Sequence, residues 1–193
     1  MKTEFQSKDI QKMLGIPKQR VEYLSLKIPI RPEVAKVEGT GRAHLYSFKN
    51  ALEFAITQEA SNLGLYINEV RSLLSNLEDW AKDELEKDLR LSRQLRGRYD
   101  SIYPILETDL KEAVKEMRGY FSKASTGNLY ALLSKRRPDK IEEEAVSKAH
   151  GYVWFPVTDV RDLIPFVQGT YGTIIFNLGV IKQRVILYAT EGK

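Results

Sequence analysis

Ser7-Lys8-Asp9-Ile10-Gln11-Lys12-Met13-Leu14-Gly15-Ile16-Pro17-Lys18-Gln19-Arg20-Val21-Glu22-Tyr23-Leu24 is the stretch whose reading decides the fold. Ser7 is read as an N-cap, Ile10, Met13 and Leu14 recur at helical spacing, and Gly15 stops the segment. Pro17 stands where the first turn of a helix tolerates a residue without an N–H. Val21 and Leu24 then continue an apolar stripe that leaves Lys18, Gln19, Arg20 and Glu22 outside it. Two short helices joined by a three-residue turn are the signature of a helix-turn-helix, whose second helix lies in a DNA major groove. Lys18, Gln19 and Arg20 are then the readers, because Arg and Lys donate to guanine and Gln pairs with adenine in both directions. Taken alone, three polar residues on a short helix more often describe a solvated face, so the flanking sequence has to decide.

Downstream, Pro29 and Pro32 forbid a continuous helix, and Gly39 and Gly41 bracket a tight turn between two extended arms. In Glu38-Gly39-Thr40-Gly41-Arg42-Ala43-His44-Leu45-Tyr46 the glycines let backbone N–H groups approach a phosphate, Arg42 supplies matching charge and Tyr46 adds a hydroxyl. The alternative is an ordinary β-turn with a core tyrosine at its foot. Ser47 is read as the cap of a third helix with Leu52, Ala55, Ile56 and Ala60 on one face, ended by Leu63-Gly64. From Ile67 onwards, Val70, Leu74, Leu77, Ala81, Leu85 and Leu91 or Leu95 keep a 3-and-4 spacing towards Gly97, which predicts one helix of about 30 residues, roughly 45 Å long. Its surplus apolar face calls for the same helix of a second subunit, or else for cover from its own C-terminal half.

The order of these parts resembles the DNA-reading head of MerR-type transcriptional regulators. The resemblance covers about residues 4 to 74. It is carried by Ile10-Gln11-Lys12-Met13-Leu14-Gly15-Ile16, Ile30-Arg31-Pro32, Gly41-Arg42 through Tyr46-Ser47-Phe48, and Leu63-Gly64 ahead of Ile67-Asn68-Glu69-Val70-Arg71-Ser72-Leu73-Leu74. It implies a winged helix-turn-helix, a homodimer formed through an antiparallel pair of long helices, and a C-terminal region that varies with the signal sensed. It also implies recognition-helix contacts to double-stranded DNA from Lys18, Arg20 and Tyr23, wing contacts from Arg42, His44 and Tyr46, and a distorted promoter on which RNA polymerase engages both elements. Two positions depart from the family: Glu22 precedes Tyr23 where an Arg is usual, and Tyr66 stands where a small residue caps the long helix.

Charge follows the same division. Of a net +4, residues 1 to 64 carry 10 Lys/Arg against 7 Asp/Glu, and residues 65 to 101 carry 7 against 8. The absence of cysteine excludes disulfides, thiolate metal centres and Cys nucleophiles. Neither His44 nor His150 has metal-ligand spacing, and nucleotide-binding glycine motifs are missing, so neither enzymatic activity nor a cofactor is expected. No apolar run reaches signal-peptide or membrane-span length, and a cytoplasmic, nucleoid-associated protein is expected.

The expected fold class is mainly α with an α+β C-terminal part. The expected domains are a DNA-binding head over 1–64, a long dimerisation helix over 65–97 and a small α+β domain over 98–193. In the last, Tyr103 to Lys123, Ile141 to Ala149 and Asp159 to Val167 read as helices. Leu129 to Leu133 is a short apolar run, Tyr152 to Val157 and Thr173 to Asn177 read as strands, and Val180 to Tyr188 reads as a helix in preference to a hairpin arm. The aromatic residues of this part form either a core or a pocket for a small organic effector, with Tyr130, Trp154 and Tyr171 as the candidate lining. Two functions follow from this reading. One is a homodimeric promoter regulator; the other is an architectural or adaptor protein that organises DNA and docks a protein through its C-terminal domain.

Overall fold

The computed structural model describes residues 2–28, 30–34, 44–81, 115, 130–135, 152–157, 161 and 173–192. Among these there are five helices and five short strands, so the architecture is mainly helical with a small β part. The described residues fall into two compact units. The first holds those up to Arg71 together with those from Val180 onwards, and the second holds those between Ser72 and Gly179.

The first unit begins with strand β1 (Glu4–Phe5), helix α1 (Ser7–Leu14) and helix α2 (Lys18–Lys27), and continues with strand β2 (Tyr46–Ser47), helix α3 (Phe48–Asn62) and the start of helix α4 (Ile67–Ala81). β1 and β2 pair antiparallel, Glu4 with Ser47 and Phe5 with Tyr46. Three of the helices start by one device. The backbone N–H of the cap residue donates to the side chain three residues on: Gln6 to Asp9 Oδ2 at 2.7 Å, Ser47 to Asn50 Oδ1 at 3.2 Å and Tyr66 to Glu69 Oε2 at 2.7 Å. That is the acceptor half of a capping box, and Asp9, Asn50 and Glu69 are all buried. In each case an apolar residue precedes the cap and another follows four places after it, as in Phe5 and Ile10 or Leu65 and Val70, all four of them buried. The cap of α1 is therefore Gln6 and not Ser7. Glu69 makes Tyr66 workable at the head of α4, since the N3 side chain supplies what a small cap residue would otherwise have to provide.

Helix ends follow glycine where it is needed. Gly15 sits at φ +65° and Gly64 at φ +82°, both left-handed and cheap only for a residue without a Cβ. Beside Gly64, Leu65 N donates to Ala60 O and Gly64 N to Ser61 O, each at 3.0 Å, which is the paired closure of a Schellman motif. α2 ends without glycine. Arg71 Nε donates to Lys27 O at 2.7 Å, and a second bond from the same guanidinium reaches the same carbonyl, so a cation from α4 satisfies the end of α2.

From Val180 onwards helix α5 (Leu178–Glu191) belongs to the first unit, and this division differs from the expected 98–193 domain. Its Ile181, Val185, Tyr188 and Ala189 are buried, a helical stripe that needs cover. Lys2 N donates to Ala189 O at 2.6 Å, and Arg184 lies 4.0 Å from Glu59 of α3. The last helix of the chain thus meets the first residues of the head.

In the second unit, β3 (Tyr130–Lys135) is the central strand of an antiparallel sheet, with β4 (Tyr152–Val157) on one side and β5 (Thr173–Asn177) on the other. Among the described strands β4 lies at an edge, where Pro156, which lacks an N–H, is tolerated. The strands over Tyr152 to Val157 and Thr173 to Asn177 and the helix over Val180 to Tyr188 agree with the sequence reading. The expected helices over 103–123, 141–149 and 159–167, and the long helix beyond Ala81, lie outside the described residues apart from helical positions at Lys115 and Arg161. Within α4, Val70, Leu73 and Leu77 are buried in a single chain, while Leu74 is only half-buried.

Candidate nucleic-acid interface

The three residues Gly15–Pro17 separate α1 from α2, and the turn is fixed by Ile16 N donating to Gln11 O at 3.1 Å. α2 then buries Val21 and Leu24 and turns its other sides outwards. Lys18 and Gln19, in its first turn, are exposed. Lys18 Nζ lies 3.4 Å from Glu22 Oε1, with both side chains more than half exposed. An exposed i,i+4 pair of this kind is worth about 0.3–0.5 kcal/mol, so Glu22 holds Lys18 only weakly. Glu22 is therefore matched by a cation one turn earlier.

Arg20 is held more firmly. Its Nε donates to Gln58 Oε1 of α3 at 3.2 Å, and its Cζ stands 5.4 Å from the centroid of the Tyr23 ring, a cation–π distance. Tyr23 is itself 41% exposed. Gln58 donates in turn from Nε2 to Asn62 Oδ1 at 2.7 Å. Lys18, Gln19, Arg20 and Tyr23 thus share the outer side of one helix, and Arg20 is held there by Gln58 and the Tyr23 ring.

The segment that contains Gly39 to Arg42 lies outside the described residues, so Arg42 has no place in this geometry. What flanks it is ordered by Asn50. Its Oδ1 accepts from Glu33 N at 3.1 Å and from Ser47 N at 3.2 Å, and its Nδ2 donates to Glu53 Oε2 at 2.9 Å. One buried amide therefore ties the chain before the segment to the chain after it. Ser47 accepts from Asn50 N at 3.1 Å and caps α3 as expected.

His44 is exposed, but Tyr46 is a correction to the expected wing contacts. It is 3% exposed and its ring meets Phe54 edge-on, with centroids 5.1 Å apart. Burial pushes its hydroxyl above the ordinary tyrosine pKa, against the hydrogen bonds of Ser7 and Ser25. Tyr46 is a core tyrosine on β2, and its hydroxyl is engaged by Ser7 and Ser25.

Of the expected effector lining, Tyr130 and Trp154 fall on neighbouring strands. Tyr130 pairs with Val157 across β3 and β4, and Leu133 pairs with Trp154. Side chains alternate along a strand, so positions 130 and 154 stand on opposite faces of the sheet and cannot line one pocket on either face. Tyr171 lies outside the described residues. Phe176, on the face of position 154, is buried, whereas Ile175, on the face of Tyr130, is 41% exposed.

Sequence reasoning missed Gln58, Asn50 and Asp9. Burial pushes the Asp9 carboxyl up, but the Lys2 ammonium at 2.7 Å, the Gln6 N–H and the charge of Lys8 outweigh it, and its pKa falls below the ordinary 3.8. A signal was present in Asp9, Asn50 and Glu69, each three places after a cap at the onset of an apolar stripe. No group of three or more His, Asp or Glu among the described residues has the geometry of a metal site, and no described helix is long and apolar enough to cross a membrane. No protein-family model matches the sequence, and no curated protein matches it.

Proposed function

We propose that the chain is a sequence-specific, DNA-binding transcriptional regulator of the MerR type. The observation that carries the reading is the outer side of α2, where Lys18 and Gln19 stand exposed in the first turn and Arg20 and Tyr23 are braced beside them. A three-residue connection from α1 leaves that first turn accessible, and base contacts of helix-turn-helix proteins come from this part of the second helix. Arg42 and His44 belong to the proposed wing and supply phosphate contacts that position the head. The proposal includes a homodimer formed through an antiparallel pair of long helices, supported by the spacing of Leu77, Leu85 and Leu91 or Leu95 in the sequence. Two subunits would repay the several kcal/mol that duplex distortion costs. The sheet unit is then the part that senses a signal or docks a partner such as RNA polymerase.

The test is retention of genomic duplex fragments by the full chain, followed by titration of a retained fragment over a range of salt. Steep salt dependence and a small set of strongly held fragments are expected. Arg42→Ala should weaken all duplexes alike and lower the salt slope by about one unit for each phosphate that is no longer neutralised. Lys18→Ala with Gln19→Ala should instead narrow the gap between the retained fragment and random DNA. Equal retention of many fragments would describe a DNA-organising protein, and an affinity independent of salt would refute DNA binding.

A further inference from the structure

Arg20 reaches the surface of α2 with one of its three nitrogens already engaged. Nε donates to Gln58 Oε1 at 3.2 Å, 38 residues further along the chain and on a different helix. A guanidinium can present two N–H groups to a pair of acceptors side-on, through Nε and one Nη, or end-on, through both Nη groups. Gln58 occupies the first mode and leaves the second. The amide is not free to turn over, because its Nε2 donates to Asn62 Oδ1 at 2.7 Å, and a reversed amide would set an NH2 group against Arg20 Nε–H, donor against donor. The Tyr23 ring, 5.4 Å from Cζ, restrains the plane of the group from the side.

We infer that Gln58, held by Asn62, is a specificity-determining positioning residue that fixes Arg20 for end-on recognition of two neighbouring acceptors, the pattern that guanine O6 and N7 offer in the major groove. The inference rests on the DNA-binding reading of α2. Gln58 touches no base in this scheme and acts through Arg20. An arginine held in place before binding loses less side-chain freedom when it meets its base, and the benefit accrues only where that base presents acceptors at the right spacing.

The experiment is selection from randomised duplexes with the full chain, carried out in parallel for the parent, Arg20→Ala, Gln58→Met, Asn62→Ala and the Arg20→Ala/Gln58→Met pair. Circular dichroism melts accompany each variant. Arg20→Ala should erase a guanine preference at one position of the selected site, a loss of about 5- to 150-fold. Gln58→Met, of similar shape but without the acceptor, should reduce the preference at that same position by about 2- to 12-fold with the salt slope unchanged. Asn62→Ala should give a smaller loss at the same position, and it keeps the inference testable should Gln58→Met fail to fold. In the Arg20→Ala background Gln58→Met should change nothing further, which a merely structural role for Gln58 would not produce.

If the parent enriches a motif and folded Gln58→Met and Asn62→Ala enrich the identical one at equal strength, the inference is overturned while the DNA-binding reading stands. Additive losses in the paired variant would overturn it as well. If the parent enriches no sequence at all, the underlying reading falls and the inference with it.

Discussion

Replacing Asn50 by Ala should be the most damaging single polar-to-apolar change in the first unit. The amide is 1% exposed and makes three side-chain hydrogen bonds, accepting from Glu33 N and Ser47 N and donating to Glu53 Oε2. A hydrogen bond is worth about 0.5–1.5 kcal/mol net, and an abandoned buried group costs about 1–3 kcal/mol. Glu33 is exposed, so water replaces the amide there, whereas the N–H of half-buried Ser47 has less access to a substitute. The sum is about 2–3 kcal/mol. At about 4–8 °C per kcal/mol for a unit of this size, the melting temperature should fall by about 8–24 °C. Asn50→Asp keeps the acceptor and adds a negative charge at a helix N-terminus, which is favourable by about 0.3–1 kcal/mol, but it sets a carboxylate against Glu53. It should therefore cost less than the alanine. Thermal melts followed by circular dichroism supply the totals, and amide exchange at Glu33 and Ser47 reports whether the closure between them opens first. A melting temperature within about 3 °C of the parent for Asn50→Ala, or a larger loss for Asn50→Asp, would refute the assignment of this amide as the tie between the two flanks.

Other perturbations test the remaining ties. Gly15→Ala should cost about 1–2 kcal/mol through backbone conformation alone, because φ is +65° and nothing lies within 4 Å of an added Cβ; a neutral urea midpoint would contradict that conformation. Asp9 has a folded pKa below its unfolded value, so the stability it contributes is present above the unfolded pKa of about 3.9 and is lost as pH falls through the lowered folded value. Urea midpoints of Asp9→Asn across the acid range from neutral pH should accordingly fall less steeply than those of the parent, and parallel curves would count against the Lys2–Asp9 pair. Ile181→Ala on α5 should destabilise the first unit by about 2–5 kcal/mol, visible as weakened amide protection in α1 and α3; unchanged protection there would place α5 outside that unit.

What the sequence made legible was periodicity. Leu52, Ala55, Ile56 and Ala60 share a helix face and are all buried, and Gly15 and Leu63-Gly64 end helices because only glycine accepts the left-handed turn at low cost. Capping was legible only in part. The hydroxyl of Ser47 is the right signal for α3, but the hydroxyl of Ser7 misplaces the cap of α1 by one residue, and a hydroxyl rule makes Tyr66 look out of place. The residue that matters most in these starts is the acceptor at N3, and an Asp, Asn or Glu there is hard to distinguish by pattern from solvated surface. Tyr46 is misread for a related reason. Its place in sequence after Gly39-Thr40-Gly41-Arg42 suggests a phosphate contact, while its burial is decided by Phe54, eight residues away, and by the pairing of β2 with β1.

Long-range features have no local signal at all. The Arg20–Gln58 bond joins positions 38 residues apart, and α5 returns to meet Lys2 from the far end of the chain. Periodicity marks the stripe of Ile181, Val185, Tyr188 and Ala189 as a face needing cover, but many partners could have covered it. In the sheet, register decides what composition cannot. The aromatic residues at 130 and 154 are equivalent by composition, and only the pairing of Tyr130 with Val157 and of Trp154 with Leu133 separates them onto opposite faces. A one-residue slip between β3 and β4 would have brought the two to the same face, so any binding site on this sheet has to be sought on one face at a time. The side bearing half-buried Tyr130 and exposed Ile175 is the more accessible at the described positions, because the opposite side is where Phe176 is buried.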